Sequence, residues 1–277
     1  MCKALTIAVI GWGTMGTAIV STILESSVDN QGDLGTSPQV SRVLACVRSR
    51  KSADRVSSTL SKHVSRVEVL IGENVEEMRR ADIVILGCKP IMRRGILQPE
   101  GGREAVAGKL VISILAGIST STLRECIYES AGGYTSECCR IARGMPNMAA
   151  KIRESMTVLA TPTPALPDEF EFMTFDIAAV LDGCSGSLMI LPIDGLLDGC
   201  VAEGLKRSDA TELVIQAVMG SIKLLTHDHH PSVLREEIAS PGGCSIRALL
   251  KLESAGVRTT FADAIMEAAY RSRNMSN

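Results

Sequence analysis

Three glycines spaced Gly11-x-Gly13-x-x-Gly16 follow directly on an apolar run, Leu5 to Ile10, rich in branched side chains. A buried strand ending in this spacing is the entry to a dinucleotide site, because each glycine removes a particular obstacle. Gly11 permits the tight turn, Gly13 leaves out the side chain that would hold a pyrophosphate away, and Gly16 lets the following helix lie close to the strand. That helix reads Thr14 to Leu24, with Met15, Ala18, Ile19 and Ile23 at helical spacing. Its first amides and its dipole face the phosphates. Glycine triplets also occur in turns of other α/β proteins; the strand before and the amphipathic helix after favour the cofactor reading.

The second place where residue types imply chemistry is the end of the next strand, Arg42 to Val47. An NAD-selective site places Asp or Glu there for the adenine ribose hydroxyls. This chain has Arg48, Ser49, Arg50 and Lys51 instead. Cations and a hydroxyl suit a 2′-phosphate, so NADPH is expected in preference to NADH. Arg50 and Lys51 also fit the solvated start of a helix, and the missing carboxylate is the firmer half of the argument.

The elements that must position these residues alternate. Helices are expected near Ser52–His63, Val75–Arg80 and up to Tyr128, with strands at Val67–Leu70, Ile83–Leu86 and Leu110–Ile114. This is the pattern of a doubly wound parallel sheet, a Rossmann-type α/β fold, whose ligands bind beyond the carboxyl ends of the strands. Lys89-Pro90, Ala116-Gly117 and Met145-Pro146-Asn147 all follow strands, which places them on the edge of the glycine loop. Lys89 alone would read as a solvated lysine; its place at a strand end puts it near a cofactor.

From Asp176 onward the chain reads as helix. Asp209 with Glu212 makes a capping box for a helix to Thr226, and Pro231 suits the first position of a short helix to Ile238. Ser240-Pro241-Gly242-Gly243 is a turn feeding a helix that stops at Gly256, and Thr260–Arg271 is the last helix. The expected division is residues 1–175 as a nucleotide-binding domain and 176–277 as an all-helical domain. A small helical domain has difficulty burying its apolar stripes alone, so a homodimer or larger homo-oligomer is expected.

The 277 residues suffice for two cores, and 45% are hydrophobic. The net charge of −2 comes without a basic stripe, and aromatics are only 3%; neither nucleic acid nor an anionic membrane surface is expected as a partner. No apolar run is expected to reach membrane-spanning length. The first strand begins close to Met1, leaving no room for a targeting peptide, so the expected location is cytoplasmic. Nine cysteines without a C-x-x-C pair read as core residues and free thiols. His227-Asp228-His229-His230 lacks companion ligands, so no metal site is expected.

Assembled, these residues resemble the pyrroline-5-carboxylate reductase family, especially its fungal members, over almost the full length. The likeness rests on Gly11-Trp12-Gly13-Thr14-Met15-Gly16, the Ala81-Asp82 to Lys89-Pro90 stretch, Ala116-Gly117-Ile118 and Met145-Pro146-Asn147. Most specific is the run from Leu234 to Gly256, L-R-E-E-I-A-S-P-G-G-C-S-I-R-A-L-L-K-L-E-S-A-G.

The resemblance implies an oxidoreductase that reduces a C=N bond with NAD(P)H. Its substrate would be a small cyclic imino acid, 1-pyrroline-5-carboxylate giving L-proline, or an alkylated analogue serving specialised metabolism. Ser245 falls where the family has a hydroxyl that hydrogen-bonds the ring nitrogen, which makes it the catalytic candidate. Free amides of Gly242, Gly243 and Cys244 would seat the substrate carboxylate, although without the family pattern this stretch reads as an ordinary interhelical turn. Ser185 and Asp228 are further substrate-binding candidates. Cofactor contacts are implied for Gly11, Gly13, Thr14, Met15 and Gly16, for Arg48, Ser49 and Asn74, and for Lys89, Pro90, Ala116, Gly117 and Asn147.

Two departures stand out. The family's G-S-G-P-A loop reads Cys184-Ser185-Gly186-Ser187-Leu188 here. Between Asp168–Phe175, which matches the start of a helix, and Asp176–Asp194, which matches the approach to the helical domain, the rest of that helix and a final strand are absent. This shortens the tether between domains and leaves a second reading open, a cofactor-binding dimer that no longer catalyses. A hydroxy-acid dehydrogenase on the same plan is disfavoured by the S-P-G-G-C-S-I run.

Overall fold

A computed structural model describes residues 4–29, 39–128, 138–160, 168–227 and 230–275, with the backbone alone at 26–29 and 168–174. The chain folds as two compact units, 1–183 together with 269–277, and 184–268.

The first unit is built on seven strands: β1 (Ala4–Ile10), β2 (Gln39–Val47), β3 (Val67–Ile71), β4 (Ile83–Leu86), β5 (Leu110–Ser113), β6 (Arg140–Pro146) and β7 (Thr157–Ala160). Their order is β3-β2-β1-β4-β5-β6-β7. Pairing is parallel except at the edge, where β7 runs antiparallel to β6 with Pro146 opposite Thr157. This last strand escapes the sequence pattern: it is four residues long, half exposed and without the Val/Ile run that marks the buried strands.

Between the strands lie α1 (Thr14–Asp29), α2 (Arg50–Thr59), α3 (Asn74–Arg80), α4 (Arg93–Leu97), α5 (Gly102–Val106) and α6 (Thr120–Tyr128). Two apolar layers cover the two faces of the sheet. Ile7, Val9, Val43 and Ala45 pack with Val20 and Leu24 of α1 and Val56 of α2. Ala8, Ile10, Leu44, Val84 and Val111 pack with Met78, Leu97, Val106 and Leu123 of α3 to α6. Alternate residues of each central strand thus enter opposite cores, which is why these strands read as continuous apolar runs. The eight described cysteines are free thiols.

Five further helices follow: α7 (Asp168–Ala202), α8 (Arg207–Leu225), α9 (Pro231–Ile238), α10 (Cys244–Ser254) and α11 (Val257–Arg273). The Cys184–Leu188 stretch, read as a loop by family likeness, lies inside α7. Where family likeness expects a missing helix end and strand, the structure has one continuous helix of 35 residues. Its length is about 50 Å at 1.5 Å per residue. Two carboxylates, Asp176 and Asp182, hold its beginning in the first unit. Asp176 accepts from Arg143 of β6 at 3.2 Å, both side chains 3% exposed, and the same guanidinium lies 4.1 Å from the Phe175 ring centroid.

Two local expectations are corrected. Asp209 does not cap α8: the helix begins two residues earlier, with Lys206 at its N-cap and no side-chain cap bond. Asp209 instead sits in the first turn, where its charge favours the helix dipole. Secondly, Phe175–Ala202, 28 residues containing an 18-residue window of mean hydropathy 1.4, is long and apolar enough to cross a membrane by length and composition. The four aspartates spread along this stretch break the run in the sequence.

Candidate active site

The glycine loop is shaped by close approach of backbones. Gly11 has φ +91, and a Cβ there would lie 2.6 Å from the Cα and N of Cys88, in the turn after β4. The same strand ends are stitched by Gly11 N–H to the Cys46 carbonyl (3.3 Å) and Gly87 N–H to the Ile10 carbonyl (2.8 Å). A Cβ on Gly16 would meet the Gly11 carbonyl at 2.9 Å, so α1 packs against the loop only because position 16 has no side chain. At Gly13 a Cβ would meet nothing within 4 Å. The space it leaves lies at the start of α1, whose first-turn amides have no intrahelical acceptor. An unfilled cradle before donor amides fits a pyrophosphate.

Beside it runs a groove of about 330 Å³ lined by Ile10, Gly11, Val47, Arg48, Gly72 and Asn74, with Cys46, Cys88, Ile91, Met92, Gly95 and Ile96 completing the walls. Among the sequence candidates it brings together Gly11, Arg48 and Asn74. Among the described residues no carboxylate lines it. Arg48 is exposed and makes no hydrogen bond or ion pair with the described residues. Ser49 caps α2, its hydroxyl accepting from Ser52 N–H at 3.3 Å. Burial pushes the Cys88 thiol up to about 11, so it is a neutral wall and not a nucleophile at physiological pH.

Sequence reasoning misses several of these neighbours. Gly72, with φ +80 just after β3, carries a visible signal as a glycine closing an apolar run. Ile91, Met92, Gly95 and Ile96 come from a 3₁₀ turn and α4, whose place over the groove depends on the crossover. Arg55, one turn into α2, donates to the Trp12 carbonyl inside the glycine loop, a contact no local pattern announces.

Along the same edge, Lys89 is exposed and Pro90 starts a 3₁₀ turn after β4. Ala116-Gly117 follows β5, with Gly117 at φ +69; a Cβ there would lie 2.6 Å from the Ser272 carbonyl at the end of α11. Asn147 follows β6. Its Oδ1 accepts from Ala149 N–H (2.9 Å), its own N–H donates to Ser155 Oγ (3.0 Å), and its Nδ2 donates to Asp182 Oδ1 (2.7 Å). Asp182 is 9% exposed, and desolvation raises its pKa against the lowering effect of the Asn147 bond.

In the second unit, Gly242 takes φ +71 and Gly243 is the N-cap of α10. A Cβ on Gly243 would lie 2.6 Å from Ser240 Oγ. The Gly243 amide is engaged with the Ser240 carbonyl at 3.0 Å, so it is not free, contrary to the expectation from sequence. The first turn of α10 adds the amides of Cys244, Ser245 and Ile246, which an α-helix leaves without intrahelical acceptors. Ser245 is exposed there. Ser185 is helical, half-buried in α7. His230 caps α9, Nδ1 accepting from Ser232 N–H at 3.2 Å. Asp228 lies outside the described residues. Among the described residues no three His, Cys, Asp or Glu side chains converge as a metal site would require.

Comparison with known proteins gives this arrangement a relationship. Residues 173–275 match the family described as pyrroline-5-carboxylate reductase dimerisation, and residues 6–117 match NADP oxidoreductase coenzyme F420-dependent. A pyrroline-5-carboxylate reductase of Lophium arboricola is 38% identical over 95% of this chain and 91% of its own length. That of Neurospora crassa is 36% identical over the same shares. The fold matches Plasmodium falciparum pyrroline carboxylate reductase, solved with NADP bound, at a TM-score of 0.76 with 21% identity over the whole of both chains. The chain belongs to the pyrroline-5-carboxylate reductase family, nicotinamide-dependent oxidoreductases acting on a C=N bond.

Proposed function

We propose that this protein reduces 1-pyrroline-5-carboxylate to L-proline with NADPH. The observation that carries the reading is the Ser240–Gly243 turn, which opens α10 with Ser245 in its first turn, in a chain 38% identical to a fungal reductase. The Cys244, Ser245 and Ile246 amides are suited to the substrate carboxylate, helped by the helix dipole. The Ser245 hydroxyl is suited to hydrogen-bond the ring nitrogen and hold it for protonation. The nicotinamide, when bound, supplies the hydride. The protein's part is then chiefly positioning. Lys89, Pro90, Ala116, Gly117 and Asn147 are assigned to the cofactor because they share the strand edge of the glycine loop. NADPH is preferred in this reading because Arg48, a cation with no partner among the described residues, lies on a groove that no described carboxylate lines.

A homodimer completes the proposal. Met189, Ile190, Leu191 and Leu196 of α7, Leu213 of α8, Leu250 of α10 and Met266 of α11 are exposed. A second copy covers such faces better than lipid, because α7 also carries Asp176, Asp182, Asp194 and Asp198, which are costly in a bilayer.

A ring-alkylated pyrroline is the second substrate reading. Ser187 and Leu188 replace the family's Pro and Ala, and the segment is uninterrupted helix.

The test is turnover with NADPH on pyrroline-5-carboxylate and its methylated analogues, with Ser245→Ala and Ser245→Thr alongside. Losing one positioned polar contact removes about 2–4 kcal/mol of transition-state stabilisation, roughly a thirty- to thousandfold loss of rate. Ser245→Thr keeps most of the activity, and cofactor affinity stays nearly intact in both. Wild-type turnover by Ser245→Ala removes Ser245 from the mechanism. NADPH binding without turnover of any pyrroline by the wild-type protein supports the catalytically impaired paralogue instead.

A further inference from the structure

We infer that Asp182 is a positioning residue for the nicotinamide half of the cofactor site, acting through Asn147. The inference rests on the proposed dinucleotide reading but not on the identity of the reduced substrate.

Asp182 falls within the stretch matched to dimerisation, yet in the fold it belongs to the nucleotide-binding unit, which runs to Gly183. It is 9% exposed, and a carboxylate so far out of water needs a hydrogen-bonded reason to be there. The 2.7 Å bond from Asn147 Nδ2 is one such reason. Asn147 is committed on its other side too, Oδ1 to Ala149 N–H at 2.9 Å and backbone N–H to Ser155 Oγ at 3.0 Å. The side chain is therefore fixed at both ends, and with it the turn that begins at Asn147, just beyond the carboxyl end of β6 at Pro146. That turn is the neighbour, across the β5–β6 pairing, of the Ala116-Gly117 turn. These two turns border the part of the edge remote from the Arg48 groove, where the reactive ring of a dinucleotide would be placed.

A carboxylate is chemically suited to this task. It accepts but does not donate, so it selects the carboxamide orientation that leaves Oδ1 for the Ala149 cap. It also anchors the beginning of α7 to this edge. An error of about 1 Å at a reacting centre is enough for a hundredfold loss of rate, so a side chain that never touches cofactor can still govern hydride transfer.

The bond can be broken and rebuilt by exchange. Asn147→Asp retains a cap for Ala149 but sets two carboxylates against each other. Asp182→Asn retains an acceptor for Asn147. The double variant, Asn147→Asp with Asp182→Asn, restores one donor and one acceptor in reversed order. Binding of NADP⁺ and of 2′,5′-ADP is followed through the fluorescence of Trp12, the chain's single tryptophan, buried in the glycine loop. 2′,5′-ADP occupies the adenylate half only.

We expect Asn147→Asp to weaken NADP⁺ about tenfold or more while 2′,5′-ADP changes less than twofold. The double variant should recover NADP⁺ affinity to within about threefold of wild type. Asp182→Ala, whose small side chain admits water, gives an independent break with the same split between the two ligands. Where turnover is measurable, kcat should fall with NADP⁺ affinity and recover in the double variant. The inference is overturned if the double variant binds NADP⁺ no better than Asn147→Asp, if 2′,5′-ADP affinity falls in step with NADP⁺, or if Asp182→Ala binds NADP⁺ as wild type does. Absence of pyrroline reduction by the wild-type protein would sink the proposed reaction and leave these binding outcomes to decide the role of Asp182.

Discussion

Replacing Asp176 by Asn should be the most damaging single isosteric change in the nucleotide-binding unit. Asp176 and Arg143 meet at 3.2 Å with both side chains 3% exposed, so neither charge has water to fall back on. Asn fills the same volume but cannot neutralise the guanidinium, which stays buried against the Phe175 ring. Breaking a buried pair by removing one partner typically costs about 3–5 kcal/mol. For a unit of this size about 2–4 °C of Tm accompanies each kcal/mol, so a fall of roughly 6–20 °C is expected. The assay is thermal and urea unfolding at fixed protein concentration, because association would otherwise shift the midpoint. Two controls separate the causes. Arg143→Met with Asp176→Leu removes both charges and should lie within about 2 kcal/mol of wild type. Arg235→Ala, which breaks a pair with Glu253 whose members are 43% and 37% exposed, should cost less than about 1 kcal/mol and be screened by salt. Loss of under about 1 kcal/mol in Asp176→Asn, or an equal loss in the apolar double variant, would refute the reasoning that uncompensated charge is the cause.

Two further outcomes follow from the site. Arg48→Asp should weaken NADPH about ten- to a hundredfold, the loss of one charge-assisted contact of roughly 1.5–3 kcal/mol, and leave NADH unchanged or tighter; parallel titrations of both cofactors decide it. Glu77 of α3 is fully buried beside the Cys46 thiol, and its oxygens meet no other hydrogen-bond partner among the described residues. Desolvation raises its folded-state pKa above the unfolded value, with the nearby Glu73 charge adding to the rise. The folded state therefore holds this proton longer than the unfolded one, and stability present below the unfolded pKa is lost as pH rises toward the folded pKa. Glu77→Gln cannot ionise, so its stability relative to wild type should improve as pH rises above the unfolded carboxylate range; a pH-independent difference in Tm would contradict this.

The nucleotide-binding half was legible because its information is local. A buried strand, three glycines and an amphipathic helix lie close together in the chain, and each glycine's requirement is a short-range clash, Gly11 against Cys88 or Gly16 against the Gly11 carbonyl. The same holds for the helix starting at Pro231 and for the Ser240–Gly243 turn. The order of strands, the meeting of Arg48 and Asn74 in one groove, and the edge strand β7 depend on crossovers that bring distant residues together. No window of sequence contains them.

The helical half shows the boundary most sharply. By itself the sequence determined that helices follow Asp176 and that their apolar stripes exceed what one copy can cover. Local pattern reads helix from Asp176 onward, whereas family likeness sets a loop at Cys184–Leu188, a stretch that mixes turn-favouring Ser and Gly with helix-favouring Leu. Tertiary structure settled it in favour of helix: Asp176 meets Arg143 and Asp182 meets Asn147, and a helix satisfies its own backbone while keeping both carboxylates within the first unit. The membrane-length apolar span, Phe175–Ala202, lies in the same continuous helix. Charges that interrupted the pattern in one dimension became, in three, the contacts that hold the helix in place.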